Sequence, residues 1–404
     1  ALIPSGYKAG KIYSVLPTNG VGDFNFARGS VATRINSSGL IEEVASNVPR
    51  LNYPMIDGVV KGCPHHILEP QRTNYVFPSN GFVSWTGGLS ISQNYGISPD
   101  GSQNSTKISG QGLIFKSPNR PTSDYVFSVF AKNINEDSSI IQLRIDIPAS
   151  LSAEFDLSNG TIVSNNTDDA KIEYYGNGWY RCMVIQNNDG IANTVISNGS
   201  AEDLSCEIFG AMLEEGSHPT SYISTTSAAV TRSAETANGS GSASTFNSEQ
   251  GVLMAEISAL SNDLSNRGIT ISDGSVNNRV TMFYTNVSNA IQVKVVVGGS
   301  NSLNSYITIP NISLYNKFAI KYKQNDFSLY VNGFELITDT SGITFSNGTL
   351  TELAFDRGDG GEDFYGNVKQ IQYFDTALTD SELEKISSWV SFQDMAEGQL
   401  YSVE

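Results

Sequence analysis

The sequence is short of charge, cysteine, histidine and long apolar runs, and each shortage excludes something. Charged residues make up 16% of the 404, against roughly a quarter in ordinary domains. No stretch reaches the roughly 18 apolar residues that a membrane-spanning helix needs, so no membrane insertion is expected. Residues Ala1-Leu2-Ile3-Pro4 carry neither a basic n-region nor an apolar h-region, so no signal peptide is expected. The three cysteines, Cys63, Cys182 and Cys206, are too few and odd in number for a disulfide framework. Cys182 and Cys206 sit in apolar, strand-like runs and read as buried thiols; whether they pair depends on whether their strands are neighbours. A reducing compartment of synthesis is the simpler inference. Basic residues are outnumbered 24 to 41, giving a net charge of −17. That acidity repels phosphate, so nucleic acid and anionic membrane are not expected partners.

The polar balance is made up by Asn, Ser, Thr and 37 glycines, and 39% of the chain is hydrophobic. Such a composition suits short strands joined by many turns, because Gly, Asn, Asp and Ser supply turn backbone angles. The expected fold class is all-β. Residues 1–75 are rich in Pro and Gly and read as irregular extended chain with short strands such as Val31 to Ile35. Such a segment must lean on another domain or subunit to offset the entropy of ordering it. Residues 76–225 hold strands at sandwich spacing, including Tyr125–Ala131, Ser139–Ile147 (Ile141, Leu143, Ile145 and Ile147 on one face), Trp179–Ile185 and Leu204–Leu213. Residues 226–247 read as a linker, and Asn238 to Thr245 as flexible by composition. Strands resume in 248–404, among them Gly251–Ile257, Arg279–Tyr284, Ala290–Val297, Ser305–Ile309, Asn316–Gln324, Phe327–Val331 and Gly366–Phe374. Asn332-Gly333 predicts a hairpin turn, since both residues tolerate positive φ. Thr379-Asp380-Ser381-Glu382 is a capping box that predicts one short C-terminal helix.

No nucleophile elbow, HExxH or P-loop pattern is present, and no enzyme is expected. The histidines are His65, His66 and His218. His65-His66 follows Cys63-Pro64, but adjacent side chains of extended chain point to opposite faces, so structural or surface roles are expected. Sugar binding by a sandwich needs exposed aromatics that stack on sugar rings, with polar groups beside them. The candidates are Trp85, Tyr95, Tyr174, Tyr175, Tyr284, Tyr306 and Tyr315; Trp179 and Trp389 are assigned to packing. Asp356, Asp359, Glu362 and Asp363 lie in a glycine-rich loop whose oxygens suit a hard cation such as Ca²⁺. Their spacing is not that of an EF-hand.

Three stretches carry a resemblance. Phe24-Asn25-Phe26-Ala27-Arg28-Gly29-Ser30, Ala32-Thr33-Arg34-Ile35-Asn36, Gly39-Leu40-Ile41-Glu42 and Leu68-Glu69-Pro70-Gln71-Arg72-Thr73-Asn74 resemble an N-terminal module common in bacteriophage virion proteins. Gly178-Trp179-Tyr180-Arg181, Gly210–Ser217, Pro219–Ile223 and Thr231-Arg232 are similar to the closing strands of carbohydrate-binding-module-like jelly rolls, with Met212 where that family usually has Gln. Leu329–Gly333, Phe364–Val368 and Ala377–Leu383 resemble a concanavalin A-like (laminin G-like) sandwich, a fold that sometimes holds calcium near a strand end. Together these imply a virion structural protein: a tail or head fibre, spike or decoration component. They also imply a homotrimer attached to other virion proteins through residues 1–75 and contacting host-surface glycans. A polysaccharide depolymerase would predict long β-helix repeats or a compact carboxylate site. A non-viral bacterial adhesin would predict a signal peptide or anchor.

Overall fold

A computed structural model describes residues 6–16, 19–134, 138–146, 151–189, 193–199 and 203–401. It is built almost wholly of antiparallel strands arranged as two sandwiches. The first stacks two six-stranded sheets. One runs Thr86–Gly87, Leu113–Lys116, Asn193–Ser197, Ile140–Asp146, Leu151–Asp156, Thr161–Asn165; the other runs Ser90–Ser92, Thr106–Gly110, Leu204–Glu215, Ser123–Asn133, Trp179–Asp189, Asp169–Tyr174. Alternation explains the packing. Ile141, Leu143 and Ile145 are fully buried against Phe127, Val129, Val184 and Ile208 of the facing sheet. Each such side chain contributes roughly 1.5–3 kcal/mol on leaving water. Ile147, expected on the same face, lies outside the described residues. Cys182 and Cys206 are buried free thiols, with strand Ser123–Asn133 lying between theirs.

The second sandwich stacks a seven-stranded sheet on a five-stranded one. The larger runs Phe334–Asp339, Phe327–Val331, Asn316–Lys323, Gln250–Ala259, Gly366–Phe374, His65–Leu68, Leu51–Asn52. The smaller runs Ser300–Thr308, Ala290–Val297, Arg279–Tyr284, Arg267–Ser272, Glu352–Ala354. Asn332 and Gly333 take φ of 51° and 88° and join two paired strands, as a two-residue hairpin requires. The Glu382 carboxylate accepts from the Thr379 N–H at 2.8 Å and opens helix Asp380–Ser387. A second short helix, Phe392–Gly398, was not expected; Ser391 caps it through the Asp394 N–H.

The first 75 residues lean on both sandwiches. Ile12, Phe24 and Phe26 complete the core of the second. Ile41, on hairpin Ala32–Ile35/Ile41–Val44, packs with Phe130, Trp179, Phe209 and Tyr222 on the outside of the first. Residues 226–247 are not free chain. Val230–Arg232 pairs with Arg72–Asn74, and Thr236–Asn238 with Phe24–Ala27. The Ser- and Gly-rich stretch read as flexible is pinned: Ser240 Oγ donates to the Gly22 carbonyl at 2.7 Å, its N–H to Leu353 at 3.1 Å, and Phe246 is buried. Gly239 and Gly241, with φ of 74° and 89°, make turns here instead of slack.

Arg28 and Glu69, from stretches that carried the N-terminal resemblance, meet Arg50, Arg232 and Glu235 in one buried ion network. Arg28 Nη1 donates to Glu235 Oε1 at 2.7 Å, and Arg50 Nε to the same oxygen at 2.9 Å. Arg50 Nη2 and Arg232 Nη1 reach Glu69 Oε2 at 2.8 and 3.0 Å. All five side chains are essentially inaccessible. Asn74 is equally enclosed: its amide donates to the Ala211 and Ile223 carbonyls at 3.1 and 2.8 Å and accepts from the Val76 and Leu213 N–H groups, both at 3.1 Å.

Candidate functional site

The structure sorts the seven aromatic candidates by face. Trp85 is buried against Phe82, with ring centroids 5.1 Å apart. Tyr284 and Tyr315 are buried as well, because each points into packed interior. Tyr175 stands edge-on to Phe130 at 4.9 Å and lines a cleft of about 220 Å³ beside Glu69 and Arg181. Tyr174 stacks on Tyr180 at 4.9 Å and closes over Gly58, where a Cβ would lie 2.4 Å from its ring. Tyr95 is exposed, with Lys107 5.3 Å above its ring. Tyr306 alone of the seven stands on an open sheet face beside a groove, and it is 62% exposed. Trp179 is buried, and Trp389 is covered by Lys317 at 4.7 Å, as their packing assignment required.

The acidic loop does not gather its carboxylates around an ion. Asp356 is buried and accepts the Gly358 N–H at 2.5 Å. Arg357 holds Asp359 through two bonds of 3.0 and 2.8 Å and reaches Glu362 at 3.4 Å. Asp363 accepts from the Tyr365 hydroxyl at 3.2 Å. Among the described residues, no group of three or more His, Cys, Asp or Glu side chains is placed to hold a metal ion. The arginine inside the loop is the physical reason: it supplies the positive charge that a cation would have brought. His65 and His66 are buried structural residues of the seven-stranded sheet.

The loop instead walls a groove on the outer face of the five-stranded sheet. Its backbone is fixed there: the Thr270 hydroxyl donates to the Asp356 carbonyl at 2.7 Å, and Arg279 Nη1 to the Arg357 carbonyl at 2.7 Å. In strand Arg279–Tyr284, Val280, Met282 and Tyr284 face the core, so Arg279, Thr281 and Phe283 face outward. Strand Ala290–Val297 likewise sends Gln292 and Lys294 outward. Register places Phe283, Gln292 and Tyr306 in one row across three strands, and Thr281, Lys294 and Asn304 in the next. Gln292 Nε2 donates to Asn304 Oδ1 at 2.7 Å across the two rows. The Phe283 ring lies flat over Gly268, where a Cβ would come within 2.4 Å of it. Gly268 is what lets the ring form the groove floor.

The groove encloses about 210 Å³ and is walled by Arg279, Lys294, Arg357 and Glu362. Asn266 and Glu362 also line a second cleft of about 370 Å³, with Arg72, His218, Asp263 and Tyr365. Glu362 has a left-handed backbone conformation, φ 53°, uncommon for its residue type. Arg267 ion-pairs with Asp263, which lies 3.5 Å from His218 Nδ1. Burial, followed by Arg72, holds the His218 pKa well below the usual histidine value, so that 3.5 Å contact is not an ion pair at neutral pH.

No protein-family model matches the chain, and no curated protein matches it. Among solved structures it is similar to the CBM40 module of a Ruminococcus gnavus IT-sialidase, at 16% identity and a TM-score of 0.29, over 35% of this chain and 84% of that one. It is similar to a heptameric SAP-like pentraxin from Limulus polyphemus, at 16% identity and a TM-score of 0.29, over 36% of this chain and 72% of that one. It is also similar to domains LG4-5 of the mouse laminin alpha1 chain, at 9% identity and a TM-score of 0.25, over 82% of this chain and 96% of that one. Likenesses this distant carry no function across, so the groove must be judged by its own residues. Arg279, Phe283, Gln292 and Lys294 were not among the sequence candidates. Their signal was present as the alternate set to the apolar residues of two strands.

Proposed function

We propose that the protein is a structural component of a bacteriophage particle that contacts host-surface glycans without cleaving them. A tail or head fibre, a spike and a decoration component all fit this role. The particle assignment is supported by the N-terminal string from Phe24 to Asn74. A homotrimer and attachment to other virion proteins belong to the same reading. The glycan assignment is carried by one observation: Tyr306 stands 62% exposed at the end of the Phe283–Gln292–Tyr306 row, beside a groove walled by polar side chains. Aromatic faces cover the apolar face of a sugar ring, and amides serve its hydroxyls.

Binding without cleavage is supported by the carboxylates along the groove. Arg357 holds Glu362 and Arg267 holds Asp263, which leaves Asp363, whereas a glycosidase works with two carboxyl groups. Glycan-array binding of the purified chain tests the reading. Tyr306→Ala is expected to weaken the bound glycan about tenfold, the loss of about 1.4 kcal/mol of stacking, while thermal unfolding stays unchanged. Binding that survives this substitution at full affinity refutes the site. Immunogold labelling of particles tests the location.

A further inference from the structure

We infer that the saccharide taken by this groove is acidic, and that its carboxylate docks between Arg279 and Lys294. The inference rests on the glycan reading above and adds the chemical class of the sugar. It starts from two cations with no carboxylate within ion-pair distance among the described residues, on which Asp359 and Glu362 act only from farther off. In a chain of net charge −17, most deeply buried arginines carry a carboxylate with them: Arg28, Arg50 and Arg232 have Glu235 and Glu69, and Arg267 has Asp263. Arg279 differs. It is 7% exposed, and among the described residues no carboxylate lies within ion-pair distance of it. Its hydrogen bond is the one from Nη1 to the Arg357 carbonyl, and its Nε has no acceptor.

Lys294 is the diagonal neighbour of Arg279 on the same face, since Arg279 pairs with Val296 and Thr281 with Lys294. Such diagonals stand roughly 7–8 Å apart. Among the described residues no carboxylate lies within ion-pair distance of half-buried Lys294 either; burial, followed by Arg279, pushes its pKa down against the pull of the more distant Glu362. Arg357 adds a third cation, but Asp359 and Glu362 already occupy it. Burying an unpaired charge is costly, and bringing a second one alongside adds repulsion. A carboxylate entering the groove removes both penalties, because a guanidinium edge and an ammonium then share one anion. The neutral groups in the same two rows, Gln292, Asn304 and Tyr306, suit the remainder of a sugar ring better than a bare inorganic anion.

The experiment uses the full chain, a glycan array and titration calorimetry. The array carries uronate-containing and sialylated glycans, their methyl esters, sulfated glycans and neutral glycans. The carboxylated members are expected to bind at least about tenfold tighter than their own methyl esters, as charge-assisted hydrogen bonds imply. That advantage should shrink as salt rises from 0.05 to 0.5 M. Lys294→Gln, a half-buried position, should bring acid and ester within about threefold of each other. Arg279→Lys keeps the charge and serves as a second variant; it should weaken the acid by loss of the fork. Equal binding of acid and ester, both lost in Tyr306→Ala, overturns this inference and leaves the glycan reading standing. Preference for sulfated glycans alone also overturns it. No binding to any class overturns both.

Discussion

Glu235→Gln is expected to destabilise the protein by about 3–5 kcal/mol, the usual cost of leaving buried charge without its partner. Glu235 Oε1 accepts from both Arg28 and Arg50, and Oε2 takes the Glu69 N–H at 2.9 Å as well as Arg50 Nη2. An amide in its place offers one acceptor oxygen and turns an NH₂ toward the arginines. Arg50 and Arg232 would then keep Glu69 as ion-pair partner, and Arg28 would lose its own. The loss should be local first, because the network ties residues 28–50 to 219–235. Hydrogen exchange in urea should show strand Phe24–Ala27 and hairpin Ala32–Ile35/Ile41–Val44 opening earlier than in the parent chain, with core strand Gln250–Ala259 protected longest. A cost below about 1 kcal/mol would mean that water reaches the network and screens it.

Most of the fold was legible because the strands obey local rules. The alternation of Ile141, Leu143 and Ile145, the Asn332-Gly333 turn and the Thr379 to Glu382 box each act within a few residues. The pairing of His65–Leu68 with Gly366–Phe374 was not legible, since about 300 residues separate the partners and neither strand names the other. Residues 238–245 misled by composition. Serine and glycine read as slack, yet Ser240 is held at both ends by groups from Gly22 and Leu353. The site was half legible. Tyr284 was chosen as an aromatic, but its strand alternates, and Tyr284 shares the core face with Val280 and Met282. Reading the same alternation for the opposite face yields Arg279 and Phe283. Tyr306 is exposed, its neighbours on an edge strand being polar. In the acidic loop Arg357 folds back on Asp359, and backbone geometry, not composition, decides that.

Mild acid should weaken the fold well before carboxylates titrate. Burial pushes His65 down to about 3 and His66 down to about 4, and burial with Arg72 lowers His218. An unfolded histidine titrates near ~6.5. As pH falls, the unfolded chain binds these protons first, so their contribution is whole above about pH 6.5 and is lost on the way to about pH 4. For His66 the gap from 6.5 to about 4 corresponds to roughly 3 kcal/mol. With three such groups the slope approaches three protons, about 4 kcal/mol per pH unit. A second window opens lower. Burial opposes the Glu69 charge, but Arg232 and Arg50 hold its pKa well below the carboxylate range, so its contribution is lost only below about pH 4.3. Urea midpoints measured from about pH 7.5 down to about pH 3 separate the two windows. His66→Phe isolates one proton: the ring has similar size, and its Nε2 has no hydrogen bond to lose. The variant should match the parent within about 1.5 kcal/mol at pH 7.5 and lose stability more slowly on acidification, by up to one proton in the slope. Parallel pH profiles for parent and variant would place His66 in contact with solvent and remove it from the account.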